Sequence, residues 1–370
     1  MKLSIYVSVC LIITVIAEAG EPAPIDPNAT AETKALFHNL RKQMGKGILF
    51  GHQNTTLYGV GWHAKDGVEK GRSDVKSACG QYPAVYGWDL NTIWRPTATE
   101  QEIEKRMPLM RGLVVEAYEQ GGVNTFSWHM WNPITRKNFY DTTPAMAAIV
   151  PGGKKHEWYR QELDRAAALF TSLKTKDGTL VPVIFRPFHE QNLKCFWWCI
   201  RHSNQKVYNQ VFRFTVTYLR DEKGVHNLLY AAGPSGVKGP EEYMQLIPGA
   251  AYVDLFGFDK YADSNKDVLS FCRAVVGLAE KHGKIAAMTE GGFRKGIAKA
   301  PADYYTKGFL APFRKDPVAS RIAYALVWQN TKAEQHWIPV KGDKQFDDFR
   351  KFSKDPLIIF GDRIPSIYGR

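Results

Sequence analysis

Beyond its first twenty residues the chain alternates short apolar runs with longer amphipathic stretches. The runs are "GILFG" (47 to 51), "PAVYGWDL" (83 to 90), "VNTFSWH" (123 to 129), "LVPVIFRPF" (180 to 188), "NLLYAA" (227 to 232), "YVDLFGFD" (252 to 259), "KIAAMTE" (284 to 290) and "IAYALVW" (322 to 328). Each is short and rich in β-branched and aromatic residues, which marks a buried strand. The stretches 99 to 120, 157 to 174, 204 to 222, 266 to 282 and 301 to 314 have helical spacing, and the first opens with Thr99 and Glu102 at capping-box separation. Strands regularly separated by helices require a parallel sheet. Eight such alternations predict an α/β fold of the (β/α)8 TIM-barrel type, a single domain with an extra helix before the first strand and another near the C-terminus.

The first nineteen residues read differently. Lys2, an apolar run to Ile16 and the small-x-small signal Ala17-Glu18-Ala19 predict a secretory signal peptide over 1 to 19, followed by a barrel domain over 20 to 370. The chain is then expected to be secreted, with no later run long enough to span a membrane. Cys10 leaves with the leader, and Cys79, Cys195, Cys199 and Cys272 remain. Export permits disulfides, and Cys195 and Cys199 flank the same aromatic triplet, so a local bridge between them is expected. The sequons Asn28-Ala29-Thr30 and Asn54-Thr55-Thr56 matter only on a eukaryotic secretory route.

Composition adds little to this picture: 44% hydrophobic and 23% charged residues are ordinary for a globular protein. A formal charge of +12 invites a nucleic-acid reading, but the basic residues are scattered among acids rather than gathered in runs. No nucleic-acid partner is therefore expected. Acidic polysaccharide, an anionic surface or simple solubility accounts better for the charge.

Chemistry is concentrated where the runs stop. In a barrel of this kind, the C-terminal ends of the strands form the active face. Those ends present His52, Asp89, His129, His189 with Glu190, Asp259 with Tyr261, Glu290 and Trp328. Glu190 and Glu290 end the fourth and seventh runs, which lie across the ring from one another. Two carboxyls flanking a ring-lined cleft are what glycosidic cleavage needs, one to protonate the leaving oxygen and one to attack or stabilise the sugar carbon. Trp and Tyr faces stack on sugar rings. Trp128, Trp131, Trp197 and Trp198 fit either that role or the core. The histidines form no HxH or HExxH spacing, which argues against a metal site. Gly291-Gly292 reads as a tight turn after the seventh strand.

The blocks "LFGHQ" (49 to 53), "YGWDL" (86 to 90), "FSWHMWNP" (126 to 133), "FRPFHE" (185 to 190) followed by "FWW", "GFDKY" (257 to 261), "MTEGG" (288 to 292) and "LVWQN" (326 to 330) together resemble glycoside hydrolase family 26, the β-mannanases. The resemblance implies retaining endo-β-1,4-mannan hydrolysis by double displacement, without metal or organic cofactor, in a monomer acting on mannan polysaccharide or its oligosaccharides. It implies Glu190 as acid/base and Glu290 as nucleophile, with His129, His189, Tyr261 and Trp328 around the sugar. Cys195 and Cys199 stand where the family usually has tryptophan and glycine, while Phe196 and Trp198 remain as candidate sugar contacts. Relatives acting on β-1,3-xylan or mixed-linkage glucan, and a barrel that binds glycan without cleaving it, are the competing readings.

Overall fold

The computed structural model describes residues 21–66 and 70–369, so the leader expected over 1 to 19 lies outside the described residues. Eight parallel strands follow in chain order: β1 (Ile48–Gln53), β2 (Val85–Asp89), β3 (Val123–Ser127), β4 (Val183–Arg186), β5 (Leu228–Ala232), β6 (Leu255–Ala262), β7 (Ile285–Phe293) and β8 (Tyr324–Val327). Each pairs with the next, and β8 returns to β1 with Tyr324 opposite Leu49, which closes the barrel. All eight expected strands are present.

Their lengths differ from the sequence reading for local reasons. β4 stops at Arg186 because Pro187 offers no N–H to the ladder and Phe188 takes a left-handed backbone, φ 51°. β6 and β7 continue past their expected ends. Gly291 and Gly292 therefore belong to a strand and not to a turn. Gly292 has φ 133°, and a Cβ there would meet Trp337 Cδ1 at 2.4 Å, so the position admits only glycine.

The helices arise largely where their periodicity places them. Glu100–Glu119 opens with both halves of the capping box, Glu102 N donating to Thr99 Oγ1 at 3.2 Å and Thr99 N to Glu102 Oε2 at 2.9 Å. His156–Ser172, Gln205–Thr217 and Leu269–His282 fill the next three expected places. The stretch 301 to 314 instead forms a π-type coil, Tyr304–Leu310, running into Ala311–Lys315. The extra helices are Ala31–Gln43 before β1 and Phe346–Ser353 near the C-terminus. The latter packs Phe349 and Phe352 on Phe50 of β1, with ring centroids at 5.8 and 5.4 Å. Asp74–Cys79, Met146–Ile149 and Pro240–Leu246 are too short to show a period in sequence. Among the described residues no helix is long and apolar enough to cross a membrane.

Candidate active site

The end of β4 is built to aim one carboxyl. Both Phe188 and Glu190 hold left-handed backbones, φ 51° and 53°, a conformation costing a non-glycine residue roughly 1–2 kcal/mol. Tertiary bonds hold the turn: Glu190 N donates to Gly233 O at 2.7 Å, and Trp198 Nε1 donates to His189 O at 2.7 Å. The strain places His189 and Glu190 at the barrel mouth, both buried.

The end of β7 aims the other. Met288 lies opposite Phe258 and Glu290 opposite Asp259, so Thr289 is an extra residue in β7, and the register against β8 shifts at the same place. This bulge re-aims the strand at a functional position. Thr289 Oγ1 donates to Asp259 Oδ1 at 2.6 Å, and Glu290 turns inward.

The surroundings of the two glutamates are opposite in kind. Glu290 Oε2 accepts from Arg186 Nη2 at 2.7 Å, and Oε1 accepts from the Tyr261 hydroxyl at 2.8 Å. Arg186 also pairs with Asp259, and all three side chains are buried. Burial alone would lower the guanidinium's pKa, but Asp259 and Glu290 raise it, so Arg186 stays charged. No side chain among the described residues donates to the Glu190 carboxyl. Burial, and then the charges of Glu290 and Asp259, push its pKa well above the usual carboxylate range. The protonated form of Glu190 is thus favoured by its surroundings.

His189 is buried with both ring nitrogens unpartnered among the described residues. Burial and the neighbouring Arg186 hold it well below the usual histidine range, so it is a neutral imidazole with an acceptor and a donor to offer. One of its nitrogens, an Asp259 oxygen and a Glu290 oxygen lie within 4.8 Å of one another. That set could be taken for a cation site, but the Arg186 guanidinium already bridges the two carboxylates.

His129 follows β3, and its Nδ1 donates to Asp89 Oδ2 at 2.5 Å. A carboxylate only accepts, so Nδ1 carries the proton. Burial would raise the Asp89 carboxyl, but His129, Ser127 and the Asn91 N–H outweigh it and hold it below its ordinary value. Trp328 follows β8, half-buried, its ring 5.6 Å from that of His129. Both line a cleft of about 160 Å³ with Tyr58, Tyr140 and Gln329.

The aromatic triplet divides. Trp197 and Trp198 have no exposed surface, their indole N–H groups bonded to Met130 O and His189 O. Trp198, expected among the sugar contacts, is fully buried and lies behind the cleft: it stacks beneath Phe196 at 4.4 Å and packs against His189 at 5.8 Å. Phe196 lies 5.4 Å from His189 and stacks with Tyr140, which is 61% exposed. Trp128 is core, while Trp131 is half-buried and donates to Asn91 Oδ1 at 2.8 Å. Cys195 and Cys199 are free thiols rather than the expected bridge; Cys199 Sγ donates to Glu190 O at 3.5 Å. Asn54 is buried, and its amide donates to Gln329 Oε1 at 2.6 Å and Tyr58 Oη at 2.8 Å, so that sequon is closed in the folded chain, whereas Asn28 is exposed.

The sequence reading assigned no role to Arg186, Asp89 or Tyr140. A charge inside the apolar run "VIFRPF" signals a buried ion pair, and Asp89 stands at a strand end. Tyr140 sits in an irregular loop where nothing in the local pattern singles it out.

Comparison with known proteins follows the same lines. The model of glycosyl hydrolase family 26 matches residues 25–326. A mannan endo-1,4-beta-mannosidase of Bifidobacterium adolescentis is 37% identical over 358 residues, 89% of this chain but 35% of that longer protein. The modular endo-beta-1,4-mannanase from Cellulomonas fimi superposes with a TM-score of 0.88 at 39% identity, covering 94% of this chain and 79% of that one. The GH26 beta-mannanase from Bacteroides ovatus gives a TM-score of 0.83 at 35% identity, covering 92% and 97%.

Proposed function

The chain belongs to glycosyl hydrolase family 26, and from that premise we propose that it is an endo-acting β-1,4-mannanase that cleaves with retention of configuration. The observation that carries the mechanism is the contrast between the two glutamates. Glu290, oriented by two donors, is the nucleophile that attacks the sugar carbon. Glu190, raised by burial and by Glu290 itself, is the acid that protonates the leaving oxygen and afterwards takes the proton of the incoming water. The Glu290 charge that helps Glu190 hold its proton is spent when the covalent intermediate forms, which favours the switch from acid to base. His189 offers neutral hydrogen bonds to sugar hydroxyls, and Trp328, His129 and Phe196 wall the bound ring. The relatives named as endo-1,4-mannosidases support mannan as the substrate. Digestion of linear mannan, galactomannan, xylan and mixed-linkage glucan tests the reading. Manno-oligosaccharides of mixed length should appear early from the mannans, whereas sugar release only from xylan or glucan would overturn it.

A further inference from the structure

The cleft beside Trp328 shares a wall with a second cavity. Tyr58, Asn91 and Thr92, which line the 160 Å³ space around His129 and Trp328, also line a second groove of about 720 Å³. The groove runs between the segment around 57–65 and the helix Glu100–Glu119. Its floor is apolar, with Leu57, Ile93, Leu109 and Met110. Among the described residues its charged lining is one-sided: Lys65, Arg95, Lys105 and Arg106 against the carboxylate of Glu102. Over the whole chain the ratio is far more even, 49 basic to 37 acidic residues. Glu102 is bonded to Arg106 at 3.0 Å and to the backbone of Thr99, so among the described lining residues one carboxylate is set against four cations. Lys65, Arg95 and Lys105 are exposed to solvent.

We propose that this groove is an extension of the substrate cleft that binds a glycan segment bearing carboxylates, a chain carrying uronic acid units or acidic substituents. The inference rests on the reading of the cleft as a polysaccharide site. A neutral chain gains no charge attraction from such a wall, whereas a carboxylate near a groove lined by one sign of charge is both attracted and steered toward it. The apolar floor beneath the cations suits the carbon faces of sugar rings.

The test uses linear mannan and the same mannan sparsely oxidised at its primary hydroxyls to uronic acids. The enzyme should bind and turn over the oxidised chain better than the neutral one. That preference should fade as salt rises, because screening shortens from about 30 Å at 0.01 M to about 8 Å at physiological ionic strength. Arg95→Glu with Lys105→Glu should abolish the preference, a change on the order of tenfold, while kcat/KM on neutral mannan stays within about twofold. Arg95→Gln with Lys105→Gln should give an intermediate loss, and melting curves establish that each variant folds. Equal handling of the two mannans by the unaltered enzyme, or an equal loss on both after charge reversal, overturns the proposal. If neutral mannan is not cleaved at all, the mannanase reading falls separately, and calorimetric binding of oxidised manno-oligosaccharides to the original and charge-reversed chains still decides the groove.

Discussion

Arg186 Nη2 reaches Glu290 Oε2 at 2.7 Å across 104 positions of sequence, and the same guanidinium pairs with Asp259. One buried cation thus sits between two buried carboxylates on the neighbouring strands β6 and β7. Its removal leaves those like charges facing each other in a medium that screens them poorly.

Arg186→Met should therefore destabilise the fold by about 3–5 kcal/mol, the usual cost of orphaning a buried ion pair. Adding Asp259→Asn should recover part of that loss, since it removes one of the stranded charges. Urea unfolding of the single and double variants measures both effects. A single variant as stable as the original would show that the pair contributes nothing net.

Most of this framework was legible in the sequence for a plain reason. Most barrel strands are buried on both faces, so they write largely apolar runs, and the polar residues at the ends of those runs fall at the active face. That logic located Glu190, His189, His129 and Trp328. It did not locate their orientation. The left-handed turns at Phe188 and Glu190, and the bulge at Thr289, are set by contacts with Gly233, Trp198 and Asp259 that are remote in sequence. The same limit explains Trp198: the pattern shows three consecutive aromatic residues but cannot say which ones the others cover.

Glu190 should make the enzyme's stability depend on pH in the unusual sense. Its folded-state pKa is raised, so between the ordinary carboxylate value and that raised one the folded chain binds a proton that the unfolded chain has released. Stability contributed by this group is complete at acid pH and is lost as pH rises through that window. Glu190→Gln, which mimics the protonated form, should melt with the original enzyme at acid pH and above it at neutral and alkaline pH. A constant difference in melting temperature across the range would exclude the raised pKa.

Trp328→Ala should remove the aromatic wall beside His129. Losing one such face costs on the order of 2 kcal/mol of contact, or roughly thirtyfold in kcat/KM. The indole is half-buried at the cleft, so the effect should fall on catalysis far more than on the melting temperature. Unchanged kinetics on mannan would mark Trp328 as a bystander.

The roles of the two glutamates are separable by the product each variant makes. Without the Glu190 carboxyl, cleavage of natural mannan should fall by about 10²–10⁴-fold, the share that general acid catalysis ordinarily supplies. A dinitrophenyl β-mannoside needs little acid help, so Glu290 still displaces the phenolate, and the intermediate accumulates because no base activates water. An initial burst of dinitrophenolate should mark that step. Azide needs no general base, so it should attack the intermediate from the face the leaving group vacated and give the β-mannosyl azide. In Glu290→Ala no intermediate forms, and azide can enter only from the opposite face, giving the α-azide or nothing. The geometry sets this expectation, because it is Glu290 that Arg186 and Tyr261 hold in place and Glu190 that holds a proton. NMR assignment of the anomer decides it: an α-azide from Glu190→Ala would mean that the two carboxyls have exchanged their parts.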